Sequence, residues 1–317
     1  MSLFEKVFHE SEIILTEGAV VERLKSEYHI DLDRHINHAG LIYSNPRVLE
    51  LLYRQYIDIG QKYNLPMMVM TPTRKVNFDS TQKSEFRGKE IIKDACLFLK
   101  EIRRTYDSSS PSILIGGLLG CKGDAYSYAD ALGVDESYEF HRIQTLQFKR
   151  EAVDFLFAGI MPEINEAIGM ARAMAETGIP YIISFMVRKD GCLIDGTPIS
   201  EAIEIIDHSI SVPPVCYMSN CVHPANLRLA LTTDKNRNKS QLSRFKGIQA
   251  NASSLSPEEL DNCGVFQCDD FDAMIEEMKT LYRQFNLKIF GGCCGTNDKF
   301  MDDLARAMLH AEYGLKA

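Results

Sequence analysis

A parallel (β/α)8 barrel, the TIM-barrel architecture, is the fold this sequence predicts. Three observations predict it: eight short apolar runs spread over the whole chain, amphipathic stretches between them, and 317 residues with no linker, low-complexity tract or short repeat. Strands buried on both faces read as continuous apolar runs, and most of these are bounded by Gly, Pro or polar clusters. The first four runs are 12–16, 67–71, 112–117 and 153–157. Before the third lies a helical stretch, 87–106, that carries Ile91, Ile92, Ala95, Leu99 and Ile102 at helical spacing. After the fourth, a helix over 163–177 stops at Gly178-Ile179-Pro180, and the fifth run, 180–187, begins there. The sixth and seventh runs are 214–218 and 245–249, and Ser256-Pro257-Glu258-Glu259 reads as a capped helix start. A helix over 269–285 supplies Met274, Ile275, Met278 and Leu281, the eighth run is 287–291, and a last helix covers about 297–310. An open doubly wound sheet fits the same alternation, but no GxGxxG follows the first run. The chain therefore reads as one domain, 1–317, with two long stretches, 28–44 and 122–136, placed to cover a site at the barrel mouth.

A net charge of −9 argues against nucleic acid or an anionic membrane as the main partner. The N-terminal Met1-Ser2-Leu3-Phe4-Glu5-Lys6 lacks the apolar core of a signal peptide, and no apolar stretch approaches the roughly 20 residues of a bilayer span. Nine scattered cysteines, an odd number, point to reduced thiols in a cytoplasmic protein and not to a disulfide framework.

Two of those cysteines are adjacent, in Gly291-Gly292-Cys293-Cys294-Gly295-Thr296 directly after the eighth run. Paired thiols in a glycine-rich turn pack poorly and ligate well, and with a third cysteine they can hold zinc and leave one coordination position open. Cys221, in Ser219-Asn220-Cys221, lies just beyond the sixth run, so the barrel brings it to the same opening. Zinc in such a site binds a substrate thiol as thiolate at neutral pH, ready to attack an electrophilic methyl group. Cys96, Cys121, Cys192 and Cys216 read as small buried hydrophobes. Cys263 and Cys268 flank a turn with no pairing pattern that would make a second metal site.

The GGCCGT string, with Asn220-Cys221 upstream, resembles the zinc-dependent homocysteine S-methyltransferases, and the resemblance covers most of the chain. It implies that Cys221, Cys293 and Cys294 ligate zinc, with the substrate thiolate as fourth ligand. Where the family ends its first strand in Asp-Gly-Gly or Asp-Gly-Ala to hold the amino acid part of homocysteine, this chain has Glu17-Gly18-Ala19, one methylene longer. The family's Thr-Asn-Thr-Phe after the second strand becomes Thr71-Pro72-Thr73-Arg74-Lys75, keeping two hydroxyls and adding two basic groups that either attract an acidic substrate group or are simply solvated. The family's Ala-Glu-Thr-Ile-Pro, whose Glu binds the homocysteine amine, becomes Ala158-Gly159-Ile160-Met161-Pro162, so Gly159 stands at the amine position. The expected substrate-binding positions are thus Glu17, Gly18, Ala19, Thr71, Thr73, Gly159 and Asn220.

The implied activity is zinc-dependent methyl transfer from a sulfonium or ammonium donor to a small-molecule thiol, with homocysteine giving methionine as the family default. The chain stops soon after its last helix, which favours a sulfonium donor over folate, cobalamin or betaine. A zinc- and thiol-binding barrel without turnover, or a methyltransferase served by a separate corrinoid protein, are the alternatives. A homo-oligomer is compatible with the sequence, which carries no signal for or against one.

Overall fold

The computed structural model describes residues 1–107, 111–255 and 269–315, with side chains described through residue 311. Eight parallel strands close into a barrel in sequential order, and each is hydrogen-bonded to the next, with the eighth returning to the first. They are β1 (Ile14–Thr16), β2 (Met67–Met70), β3 (Ile113–Leu119), β4 (Phe155–Met161), β5 (Tyr181–Phe185), β6 (Cys216–Val222), β7 (Phe245–Ala250) and β8 (Ile289–Gly292). Helices such as Pro46–Lys62, Ile91–Arg104, Val134–Glu151 and Ile164–Ala175 form the outer ring. No helix among the described residues is long and apolar enough to cross a membrane.

Two apolar layers follow from the strand period of two. Residues facing outward pack against the helices, and those facing inward, among them Met68, Leu114, Phe157, Ile182 and Met218, fill the barrel. The bottom is closed by an N-terminal helix, Leu3–Glu10, that the sequence reading did not anticipate. Ser2 and Glu5 form a capping box at its start, and Phe4 stacks on Phe155 inside the barrel at 4.7 Å between ring centroids.

At the top, the interior changes character. Gln249 donates to Thr16 Oγ1 at 2.7 Å, Asn220 donates to Gln249, and Ser184 donates to Asn220. This polar belt joins β1, β7, β6 and β5 beneath the mouth, where each amide and hydroxyl is buried and paired. Gly291 completes the layer because nothing larger fits: a Cβ there would fall 1.9 Å from Thr16 Oγ1. Gly291→Ala is expected to lower stability by about 1–3 kcal/mol through overpacking, seen as a lower urea midpoint at unchanged slope. An unchanged midpoint would mean that the belt can shift without loss.

The strand bounds differ from the sequence reading at β4 and β6. The fourth strand runs to Met161 instead of ending at Phe157, because Gly159 marks a bulge inside the strand and not its end. The sixth runs to Val222 because Ser219 and Asn220, which resemble turn residues, are buried and hydrogen-bonded within the barrel. Cys221 is therefore in the strand and not beyond it. The expected helix start at Ser256-Pro257-Glu258-Glu259, with Cys263 and Cys268, lies outside the described residues.

Candidate active site

Cys216, Met218 and Asn220 face the barrel interior, so regular alternation would send Cys221 outward. Instead the register of β6 against β7 shifts between Asn220 and Val222, and Cys221 has φ of 58°. This left-handed residue in a bulge lets two consecutive side chains, Asn220 and Cys221, line the same cavity. The partner thiols come from the turn after β8. Cys293 N donates to Ala250 O at 2.7 Å, and Ala252 N donates to Cys294 O at 2.9 Å, so the turn is laced to the end of β7. Gly295 reverses the chain at φ of 80°, Thr296 Oγ1 donates to Cys293 O at 2.7 Å, and Gly295 N donates to Glu22 at 2.5 Å.

The Sγ atoms of Cys221, Cys293 and Cys294 lie within 4.8 Å of one another, with Cys221 and Cys294 at 3.5 Å. The three can hold one metal ion. As thiols they share a negative charge unequally. Hydrogen bonds from Cys293, Cys294 and Tyr126 hold the Cys221 thiol well below its usual range, while the same contacts to Cys221 keep Cys293 and Cys294 well above it. A divalent cation on three thiolates would displace the remaining protons.

Both stretches expected to cover a site do so. From 122–136, Tyr126 donates its hydroxyl to Cys221 Sγ at 3.2 Å. The start of that loop is fastened by Glu166, which accepts from Lys122 N at 2.7 Å and sits 3.2 Å from His141. From 28–44 comes His38, more than nine-tenths buried and on the cavity wall.

The cavity is about 390 Å³ and opens beside the three sulfurs. Of the expected substrate positions, Glu17, Gly18, Ala19, Thr71, Gly159 and Asn220 line it. Glu17 Oε1 accepts from Met70 N at 3.2 Å, and Oε2 is buried without a partner. Burial pushes this carboxyl up to about 7, against two backbone hydrogen bonds that pull it down. The Ala19 amide donates to Thr296 Oγ1, and its carbonyl accepts from Tyr56, which ties the β1 turn to the cysteine turn. Thr73 is fully buried and donates to Leu118 O at 2.7 Å. Thr71 accepts from Leu118 N and lies 2.7 Å from Thr73 Oγ1, so with the Thr73 proton committed, Thr71 is the donor of that pair. Thr73 donates to β3 and Thr71 accepts from it, so the two hydroxyls clamp the ends of β2 and β3 together.

The sequence model of one family, described as Homocysteine S-methyltransferase, matches residues 14–308. The chain belongs to that family. It is accordingly a thiol S-methyltransferase. Homocysteine S-methyltransferase 4 of Zea mays is 24% identical over 302 residues, covering 89% of this chain and 86% of the maize protein. Betaine–homocysteine S-methyltransferase 1 of Sus scrofa is 19% identical over 223 residues, or 70% and 77% of the two chains. The metallated form of the homocysteine methyltransferase MmuM from Escherichia coli superposes with a TM-score of 0.75 at 17% identity, over 96% of this chain and 99% of that one. Its oxidised form gives 0.76. These likenesses bear out the barrel.

Within the family frame, the Gly159 position inside β4 stands out. A Cβ on Gly159 would lie 2.7 Å from the Phe157 ring and 3.2 Å from Leu118, so the wall there is closed against a side chain without movement of that ring. Sequence reasoning missed Tyr126, Gln249, His38 and Glu22. For Tyr126 and His38 the signal existed, since both lie in the stretches expected to cover the mouth. For Gln249 it was a polar residue at the end of the seventh run, 245–249.

Proposed function

We propose that this protein is a zinc-dependent S-methyltransferase that moves a methyl group from a sulfonium or ammonium donor to a thiol, with homocysteine to methionine as the family default. The convergence of Cys221, Cys293 and Cys294 at the edge of a substrate-sized cavity carries this reading. Tetrahedral zinc–sulfur bonds of about 2.3 Å put ligand sulfurs ~3.8 Å apart. The observed spacing, 3.5 Å for one pair and under 4.8 Å for all, fits that size. Three soft donors and no carboxylate among them suit zinc and not magnesium or calcium. Bound there, zinc would lower the pKa of an incoming thiol and keep it as a thiolate at neutral pH.

The chain's own residues do the rest. Tyr126 donates to Cys221 and screens the sulfurs from solvent on the side of the 122–136 loop. Burial and the Cys221 charge push its phenol up, so it remains a donor. The Ser184–Asn220–Gln249–Thr16 belt fixes Asn220 below the acceptor. Glu17 offers one unpartnered oxygen to the substrate. The acceptor loses its thiol proton to solvent on binding. Its sulfur forms a bond to the methyl carbon as the carbon–sulfur bond of a sulfonium donor breaks, and that electron pair returns to the donor sulfur, leaving a neutral thioether. All seven described cysteines are free thiols, which suits the reducing cytoplasm.

Purified protein loaded with zinc, given homocysteine and either S-methylmethionine or S-adenosylmethionine, is expected to form methionine, measured by mass spectrometry. Loss of product on chelation and return on zinc addition would bind the activity to the metal. Thiol-dependent thermal stabilisation with no product from any donor would assign the protein to a binding role instead.

A further inference from the structure

The cavity wall carries charge in a pattern that bears on the acceptor. β2 and β6 lie on opposite sides of an eight-stranded barrel, so the loop after β2 faces the sulfurs across the mouth. That loop presents Arg74 and Lys75 to the cavity, and His38 joins them from the 28–44 stretch. Among the described residues no carboxylate forms an ion pair with Arg74 or Lys75, although Asp124 lines the same cavity and its charge acts on Lys75. His38 Nδ1 is buried with no partner. Burial, and then the Arg74 charge, push His38 down to about 3, so a neutral imidazole faces the cavity. The same two influences lower Lys75, against a smaller opposing pull from Cys121 and Asp124. Two cations and an imidazole with an unused nitrogen, half desolvated together, are stabilised by an anion.

Three carboxylates of the described residues line the cavity, Asp124, Glu22 and Glu17, and Asp124 is the one whose charge reaches Lys75, leaving the Arg74–Lys75 side with more positive than negative groups. Gly159 brings no side chain to the cavity wall, and a Cβ there would lie 2.7 Å from the Phe157 ring, so this stretch of wall offers no carboxylate to an amine. Glu22 holds the Gly295 amide. Glu17 is buried and, at about 7, takes up a proton in place of a permanent charge; protonated, it donates a hydrogen bond to an acid.

We propose that the acceptor is a mercapto acid, held by its anionic end on Arg74, Lys75 and His38 while its sulfur reaches the Cys221–Cys293–Cys294 side, and that an α-amino group adds little to its binding. This rests on the reading that a thiol binds a metal on those three cysteines. Homocysteine satisfies the rule through its carboxylate; so does its des-amino counterpart, and an aminothiol without a carboxylate does not.

The test uses cobalt-substituted protein, whose thiolate-to-metal absorption reports thiol binding without turnover. Homocysteine, 4-mercaptobutyrate and 3-aminopropane-1-thiol are titrated in turn. The two acids are expected to bind within about threefold of each other, and the aminothiol at least about tenfold more weakly. Arg74→Ala with Lys75→Ala is expected to weaken 4-mercaptobutyrate by about tenfold or more and leave the aminothiol unchanged, with cobalt stoichiometry and melting temperature preserved as controls for folding. An aminothiol that binds as tightly as 4-mercaptobutyrate, or a double variant that still binds 4-mercaptobutyrate normally, overturns the proposal while leaving the metal–thiol reading intact. No spectral change with any thiol overturns that reading itself, and the proposal with it. Should the double variant fail to fold, the three-thiol ranking on the unmodified protein decides alone.

Discussion

Cys221→Ala is expected to reduce bound zinc from one per chain to nearly none after dialysis, and to lower methyl transfer at least about a thousandfold. The geometry gives the reason. Two sulfurs of adjacent residues cannot enclose a tetrahedral ion, and the third must come from β6 on the far side of β7. Only the bulge at Cys221 turns that sulfur inward. Cys216→Ala is the matched control. Cys216 sits on the same strand, fully inside the barrel, with its thiol pushed up to about 12 by burial. Removing its sulfur costs packing on the order of 1 kcal/mol and leaves metal content unchanged. Metal analysis by mass spectrometry checks both. Stoichiometric zinc in the Cys221 variant would mean that the three sulfurs are not the metal site. Because Cys293 and Cys294 are held protonated beside the Cys221 thiolate, zinc affinity is also expected to rise with pH until those protons no longer compete.

How far the sequence reached can be traced through that same strand. The eight apolar runs led to the right barrel because two-sided burial leaves a signal in every strand, even where bounds were off by several residues. The meeting of three cysteines was legible because their chemistry is carried by residue type: adjacent cysteines in a glycine turn have few structural uses. What could not be read is whatever depends on direction. Nothing in Asn220-Cys221 announces that one of the two adopts a left-handed conformation so that both face the cavity. Thr71 and Thr73 look like two substrate hydroxyls, yet the Thr73 proton goes to Leu118 O and the Thr71 proton to Thr73, so both are committed within the β2–β3 clamp. The polar belt was invisible because Thr16, Ser184, Asn220 and Gln249 sit on four strands, and only closure of the barrel makes them neighbours. The helix Leu3–Glu10 was missed because its apolar residues, Phe4, Val7 and Phe8, occupy barely two turns.

Glu17→Gln is expected to make the metal-free protein more stable above pH 7, by on the order of 3 kcal/mol, and to leave it unchanged below about pH 4.5. The sign follows from where the proton is held. In the folded chain burial raises this carboxyl to about 7, whereas in the unfolded chain it titrates near 4.5. The folded state therefore binds the proton more tightly. Its contribution to stability is fully present below pH 4.5 and is lost as pH rises through 7, where the ionised group must sit with Oε2 buried and unpartnered. Glutamine keeps an oxygen for the Met70 amide and carries no charge to desolvate, so the variant's stability curve should lose the slope between those two pH values. Urea unfolding at half-unit pH intervals measures the difference directly. Parallel curves for the two proteins across that window would show that Glu17 finds a partner in solution, and its oxygen would then not be free for a substrate. A carboxylate that costs the empty barrel this much has no use in packing; it is the kind of group retained where a bound molecule supplies the missing partner.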